Sequence, residues 1–158
     1  LIMNKSTIDI SDEYFENQKG FKKPQIKYIE NKNDFLGLVN DKIGIIYKTF
    51  SDLIPVVIFY ENESSLEKLS KILDYAGIEY SIGVDDKKPI MFVSLDSIAG
   101  RSFPVVLAPL TNNTSYNTIY IMLSRAKYDL SLFTWLDKTL DPHIENLLSK
   151  EIIVEYGD

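Results

Sequence analysis

Pro55-Val56-Val57-Ile58-Phe59-Tyr60 is a strand-length run in which no polar residue alternates with the apolar ones. A strand with one wet face alternates apolar and polar; an unbroken run belongs to a central parallel strand covered on both faces. Such a strand asks for helices above and below it.

The rest of the chain supplies them, as short apolar β-branched runs alternating with segments of helical period. Ser6-Thr7-Ile8-Asp9 is a capping box that opens a helix, with Gly20 as its stop. Gln25 to Glu30 alternates like a half-buried strand, and Asp34 to Val39 is predicted to be a short helix. Ile43 to Tyr47 fits either a strand or the end of that helical segment. A second capping box, Ser64-Ser65-Leu66-Glu67, begins a helix that carries Leu66, Leu69, Leu73 and Ala76 on one face and stops at Gly77. Strands are predicted at Ile78–Ile82, Ile90–Val93, Pro104–Leu107 and Leu130–Trp135, with a polar turn over Asp85–Pro89 and a helix from Tyr116 to Ala126. Asp141-Pro142 starts a last helix, Asp as N-cap and Pro in the first turn, and Ile152–Val154 adds an edge strand. The expected fold is a three-layer α/β domain with a mostly parallel sheet, one domain over residues 1–158.

Composition narrows the chemistry. With 45% apolar and 25% charged residues in 158, the chain has material for a real core. Its formal charge of −6 means that phosphate contacts must come from a few placed residues rather than from bulk attraction. Cysteine is absent, which removes disulfides, thiolate metal sites and a Cys nucleophile. The single histidine, His143, rules out a His-based metal cluster and reads as a surface residue in the first turn of a helix. No run approaches the roughly 20 apolar residues that span a bilayer, and Leu1–Lys5 is too short for a signal peptide, so a cytoplasmic domain without a membrane partner is expected. A start at Leu1 rather than Met hints at a piece of a longer protein.

Several sites are missing from the sequence. There is no G-x-x-x-x-G-K-[ST] phosphate loop, no G-x-G-x-x-G after a strand and no G-x-S-x-G elbow. The carboxylates Glu61, Glu63, Asp85 and Asp86 sit where turn and cap residues sit, solvated rather than paired for acid–base work. Two segments stand out instead, Met91 to Leu107 and Asn117 to Phe133. In the second, Ser124-Arg125-Ala126 closes an apolar helix before a strand. Arg125 there either snorkels to solvent or reaches a phosphate held by another domain, a task that suits its permanent charge and forked donors.

These two segments resemble motifs V and VI of the superfamily 1 helicases of the UvrD/Rep type. Motif V in that family runs T-x-H-x-x-K-G-L-E-F-x-x-V, matched through Ser94, Gly100, Phe103 and Val106; motif VI runs Y-V-A-L-T-R-A, matched through Tyr120, Ser124, Arg125 and Ala126. Val57-Ile58-Phe59-Tyr60 with its capped helix and Gly77-Ile78-Glu79-Tyr80 resembles a further strand, helix and "gI-Y" segment, and Asn4 to Ile10 resembles motif IV. The likeness covers nearly the whole chain in order: a motif IV-like helix over 1–20, a motif V/VI-like core over 90–135 and a C-terminal extension over 141–158. Only Gly83 to Pro89 stands where the family carries a bulky insertion.

The resemblance implies the second RecA-like domain of such a motor, a fragment of an ATP-dependent DNA helicase or translocase whose N-terminal P-loop domain is its partner. ATP and Mg²⁺ would be held in the parent, and none by this chain alone. Arg125 matches the arginine finger. Lys5 occupies the slot of the motif IV arginine, and Gly100 and Ser102 fall in the nucleotide-contacting part of motif V, with Ser102 replacing the Glu that contacts ribose. Ser94 stands in the Thr slot that hydrogen-bonds a DNA phosphate. Asp96 replaces the family's His and Ala99 its Lys, which implies weak single-stranded DNA binding; Asn4, in the slot of the adenine-stacking Tyr, puts that stack in question. These departures keep open a rival reading, a degenerate RecA-like protein-interaction module without ATPase activity. A small-molecule enzyme has no supporting constellation.

Overall fold

The computed structural model describes residues 23–50, 52–83, 88–111, 114–135 and 142–157. The expected helix after Ser6, with Asn4 and Lys5 before it, lies outside the described residues, as do Asp85 to Lys87 of the turn and the cap Asp141.

Seven strands form one sheet in which every paired neighbour is parallel. They are β1 (Gln25–Tyr28), β2 (Val56–Tyr60), β3 (Tyr80–Ile82), β4 (Ile90–Ser94), β5 (Phe103–Pro109), β6 (Ala126–Thr134) and β7 (Val154–Glu155), in the order β3-β4-β2-β5-β6-β1-β7. The helices are α1 (Lys32–Thr49), α2 (Glu63–Ala76), α3 (Tyr116–Leu123) and α4 (Pro142–Ser149). Alternate residues of one strand feed two separate cores. Val57 and Phe59 pack with Ile119 and Leu123 of α3 and Leu147 of α4, whereas Val56 and Ile58 pack with Phe35 of α1 and Leu69 of α2. That is the three-layer arrangement expected from the unbroken apolar run of β2, which is buried on both faces at Val56 through Phe59.

Local detail departs from expectation in several places, among them β3, which starts at Tyr80 rather than Ile78, and β7, which is Val154–Glu155 rather than Ile152–Val154. α1 runs 18 residues from an Asn31 cap, so Ile43–Tyr47 is helix and the short helix at Asp34–Val39 is its first half. Its inward stripe is Phe35, Leu38, Val39, Lys42 and Ile46, and the lysine inside that stripe disguises the helical period. α2 starts two residues early. Asn62 caps it by accepting from the Ser65 N–H at 2.9 Å while the Ser65 hydroxyl accepts from the Asn62 N–H at 3.1 Å, so the box is Asn62/Ser65 rather than Ser64/Glu67. β5 extends beyond the expected Pro104–Leu107 on both sides, with an irregularity between Phe103 and Val105 where Pro104 has no N–H to give the ladder. α3 ends at Leu123, and β6 starts at Ala126 instead of Leu130, because Ala126 already pairs with Phe103.

Gly77 closes α2 in the left-handed region at φ 71°, its N–H returning to the carbonyls of Leu73 and Asp74. A Cβ there would meet nothing within 4 Å, so only the backbone opposes a side chain. Gly77→Ala is expected to cost about 1–2 kcal/mol, read as a lower urea midpoint at unchanged slope.

Most polar groups inside the two cores are paired, the Ser131 hydroxyl being an exception. Lys42 of α1 forms an ion pair with Asp129 of β6, both almost fully buried. Tyr156, after β7, closes over it, with its ring centroid 5.5 Å from the Lys42 Nζ and its hydroxyl donating to Asp41. Burial, and then the neighbouring Asp41 carboxylate, push the Tyr156 phenol well above its usual range. On the other face Asn146 of α4 donates to the Tyr116 hydroxyl at 2.7 Å, which in turn bonds Tyr120, tying α4 to α3. Among the described residues no helix is long and apolar enough to cross a membrane, and no three His, Asp or Glu converge as metal ligands.

Candidate phosphate-facing edge

Parallel strands give the sheet two chemically distinct ends. The carboxyl end carries Ser94, the last residue of β4; the amino end carries Arg125, immediately before the first residue of β6. The segment 94–102 runs from one end to the other. Ser94 therefore does not join Gly100, Ser102 and Arg125, and the fold separates the position expected to meet DNA from those expected to meet nucleotide.

Ser94 is already at work as a cap. Its hydroxyl accepts from the Asp96 N–H at 3.2 Å and its carbonyl accepts from the Ser97 hydroxyl at 2.9 Å, which holds the single 3-10 turn Leu95–Ser97. The chain then buries Ile98 in the α3 face and turns at Gly100, where the Arg101 N–H meets the Ile98 carbonyl at 3.0 Å. Gly100 has φ 74°, a conformation that favours glycine in such a turn. Arg101 and Ser102 follow, both exposed, and lead into Phe103.

Arg125 sits in the short link between α3 and β6, and the structure fixes it at four points. Its N–H reaches the Met122 carbonyl at 3.1 Å, and its own carbonyl accepts from the Phe103 N–H at 2.7 Å. Its side chain donates through Nε to the Ile121 carbonyl and through Nη1 to the Arg101 carbonyl, each at 3.2 Å. The guanidinium is thus a clamp on the end of α3, where the helix dipole favours a cation. Nη2 has no partner among the described residues, nor does any carboxylate there pair with Arg125. The side chain is partly exposed at the sheet edge and not sealed in the core. Gly100, Ser102 and Arg125 are brought to one end of the sheet; Lys5 lies outside the described residues.

At the carboxyl end, a crevice of about 320 Å³ opens between the ends of β2 and β4 and the start of α3. Glu61, Asp96, Thr114, Ser115 and Thr118 line it with Ile121, and the Thr111 hydroxyl donates to the Glu61 carboxylate at 3.3 Å. Two carboxylates facing one space repel phosphate, so this crevice is no phosphate cradle, and Asp96 is close to the very serine that the sequence assigned to DNA. Sequence reasoning placed Glu61 among solvated cap residues; its spatial neighbour Asp96 comes from another strand end, and no local pattern connects them.

No family model matches this sequence, and no curated protein matches it. The C-terminal domain of a possible DNA helicase from Lactobacillus plantarum WCFS1 has a similar structure, with a TM-score of 0.70 at 17% identity, over 96% of this chain and 95% of that one. The fold is RecA-like. A further solved structure, the C-terminal domain of a Dbp5 variant from S. cerevisiae bound to a Gle1 variant and IP6, is more distant, with a TM-score of 0.41 at 16% identity over 82% of each chain. Within the RecA-like sheet the amino end, with Arg125 and the Gly100 turn, is the part whose chemistry suits an anion.

Proposed function

We propose that this chain is the C-terminal RecA-like half of an ATP-dependent DNA helicase or translocase of the UvrD/Rep type, and that Arg125 is the arginine finger it presents to an ATP held by the P-loop domain of the same parent. The observation that carries this reading is the placement of Arg125. It is anchored by backbone on both sides, partly exposed, without a carboxylate partner among the described residues and with Nη2 unoccupied. A guanidinium held this way loses little freedom when it meets a phosphoryl oxygen, and preorganised charge of this kind is what stabilises the transferring group. The similarity to a helicase C-terminal domain over nearly the full length of both chains, and the motif order from Val57 to Ala126, support it.

Other residues take subsidiary roles. The Gly100 turn brings backbone and Ser102 toward the nucleotide, and Lys5 adds charge from the motif IV position. Mg²⁺ would belong to carboxylates of the P-loop domain, as the family resemblance implies. Ser94 offers a hydroxyl to a DNA phosphate at the opposite sheet end, weakly, with Asp96 and a net charge of −6 against it. The acidic crevice beside Ser94 favours the second reading, a protein-interaction module that has left nucleotide chemistry behind.

Steady-state hydrolysis separates the two. The chain alone is expected to hydrolyse no ATP above background, whereas the parent with its P-loop domain hydrolyses it and is stimulated by single-stranded DNA. An inert parent supports the interaction module, and turnover by the chain alone overturns the division of labour.

A further inference from the structure

Arg101 replaces an apolar residue of the family pattern, and sequence alignment gives it no role. In the fold it is the immediate neighbour of Arg125. The Arg125 Nη1 donates to the Arg101 carbonyl at 3.2 Å, and two residues on, the Phe103 N–H donates to the Arg125 carbonyl at 2.7 Å. The segment Arg101–Phe103 is therefore laced to Arg125 through both its side chain and its main chain. The Arg101 side chain is exposed, and its guanidinium carbon stands 5.1 Å from the centroid of the buried Phe103 ring, a cation–π contact that orients it.

No carboxylate among the described residues pairs with either arginine. That is notable in a chain with 23 acidic residues against 17 basic ones, where a partner would be easy to supply. Arg101 and Arg125 meet through the Arg101 carbonyl with no counter-charge on either among the described residues, and an anion reached by both side chains would offset their charge. Each is held by contacts that leave part of its fork open: carbonyls for Arg125, a ring for Arg101.

We propose that Arg101 is a second phosphate-contacting guanidinium, and that it and Arg125 together grip the polyphosphate of a nucleotide at the amino end of the sheet. The proposal rests on the reading of Arg125 as a phosphate-facing residue and adds to it a substrate-binding partner. It also accounts for a site that keeps a positive charge although Ala99 stands where the family has Lys.

The test is titration of this chain with sodium triphosphate at low ionic strength by calorimetry, with thermal melts to confirm folding. Arg101→Gln and Arg125→Gln are each expected to weaken binding about tenfold, the scale of one lost charge-assisted contact. Arg101→Lys restores only part, because it keeps the charge and loses the fork. Lys71→Gln, which removes a charge from α2, leaves the affinity within about twofold of the starting value. Triphosphate binding by Arg101→Gln equal to wild type, or none by wild type itself, overturns the proposal; if Arg125→Gln alone weakens binding, the finger survives and Arg101 drops out. A thymidine oligonucleotide that displaces triphosphate at lower phosphate concentration assigns the pair to a DNA strand and overturns the nucleotide assignment. Binding that needs both arginines, in a parent whose ATPase ignores Arg125→Ala, sustains the anion site and removes the motor reading.

Discussion

Arg125→Ala in the parent motor is expected to lower its ATPase rate by about 10³-fold or more, with a much smaller change in KM for ATP. The split follows from when the charge is needed. In the proposed division of labour, ground-state nucleotide would be held mainly by the P-loop domain, while the guanidinium would meet charge that spreads over the phosphoryl oxygens as the bond breaks. Arg125→Lys is expected to recover little, because a single nitrogen replaces the separate Nε and Nη1 that hold the Ile121 and Arg101 carbonyls and lacks the planar fork that carries Nη2. The same two contacts make structure the competing explanation. Losing them costs about 1 kcal/mol each at most, since the Ile121 carbonyl keeps the Ser124 N–H and hydroxyl, whereas a 10³-fold rate change demands about 4 kcal/mol. A thermal melt that falls by only a few degrees, alongside the full loss of turnover, assigns the effect to chemistry; an unchanged rate removes Arg125 from the mechanism.

Asp129→Ala should be the most damaging single change to stability, with a loss of about 3–5 kcal/mol and a melting temperature lower by about 10 °C. Lys42 is 1% exposed, so removing Asp129 takes away the carboxylate that balances a buried ammonium between α1, β6 and Tyr156. Lys42→Ala strands the carboxylate instead and adds a cavity under α1. The double change Lys42→Met with Asp129→Leu is expected to sit near the parent stability or above it, because the pair's mutual attraction does little more than offset its desolvation. A single Asp129→Ala variant that melts with the wild type would show that water already reaches the pair.

That ion pair also explains where the helical pattern misleads. The partners are 87 residues apart in sequence, so nothing near Lys42 announces that a lysine belongs on the inward stripe of α1. Once it is taken as exposed, Ile43–Tyr47 reads equally well as a strand. The cap of α2 slips by two residues for a milder reason: Asn62 and Ser64 are both good caps with a partner three residues on that can return the hydrogen bond, and the box closes at Asn62 and Ser65. By contrast β2 and β4 were legible at once, because burial on both faces leaves an apolar residue at almost every position.

The candidate site divides in the same way. Arg125 stood out in sequence because its neighbours Tyr120, Ser124 and Ala126 match a specific pattern. Its partnership with Arg101 needs β5 beside β6, in the register that sets Phe103 against Ala126, and no linear spacing carries that information.

Chain order and side-chain polarity were enough to establish the layers, because which residues must leave water is a local property of each strand and helix. They could not establish the strand order β3-β4-β2-β5-β6-β1-β7, which arises from long crossovers between distant segments. The same long-range packing set Ser94 and Arg125 at opposite ends of the sheet, buried Lys42 against Asp129, and laid the Arg125 side chain on the Arg101 carbonyl. Each of these depends on contacts whose free energy exists only once segments far apart in sequence have met.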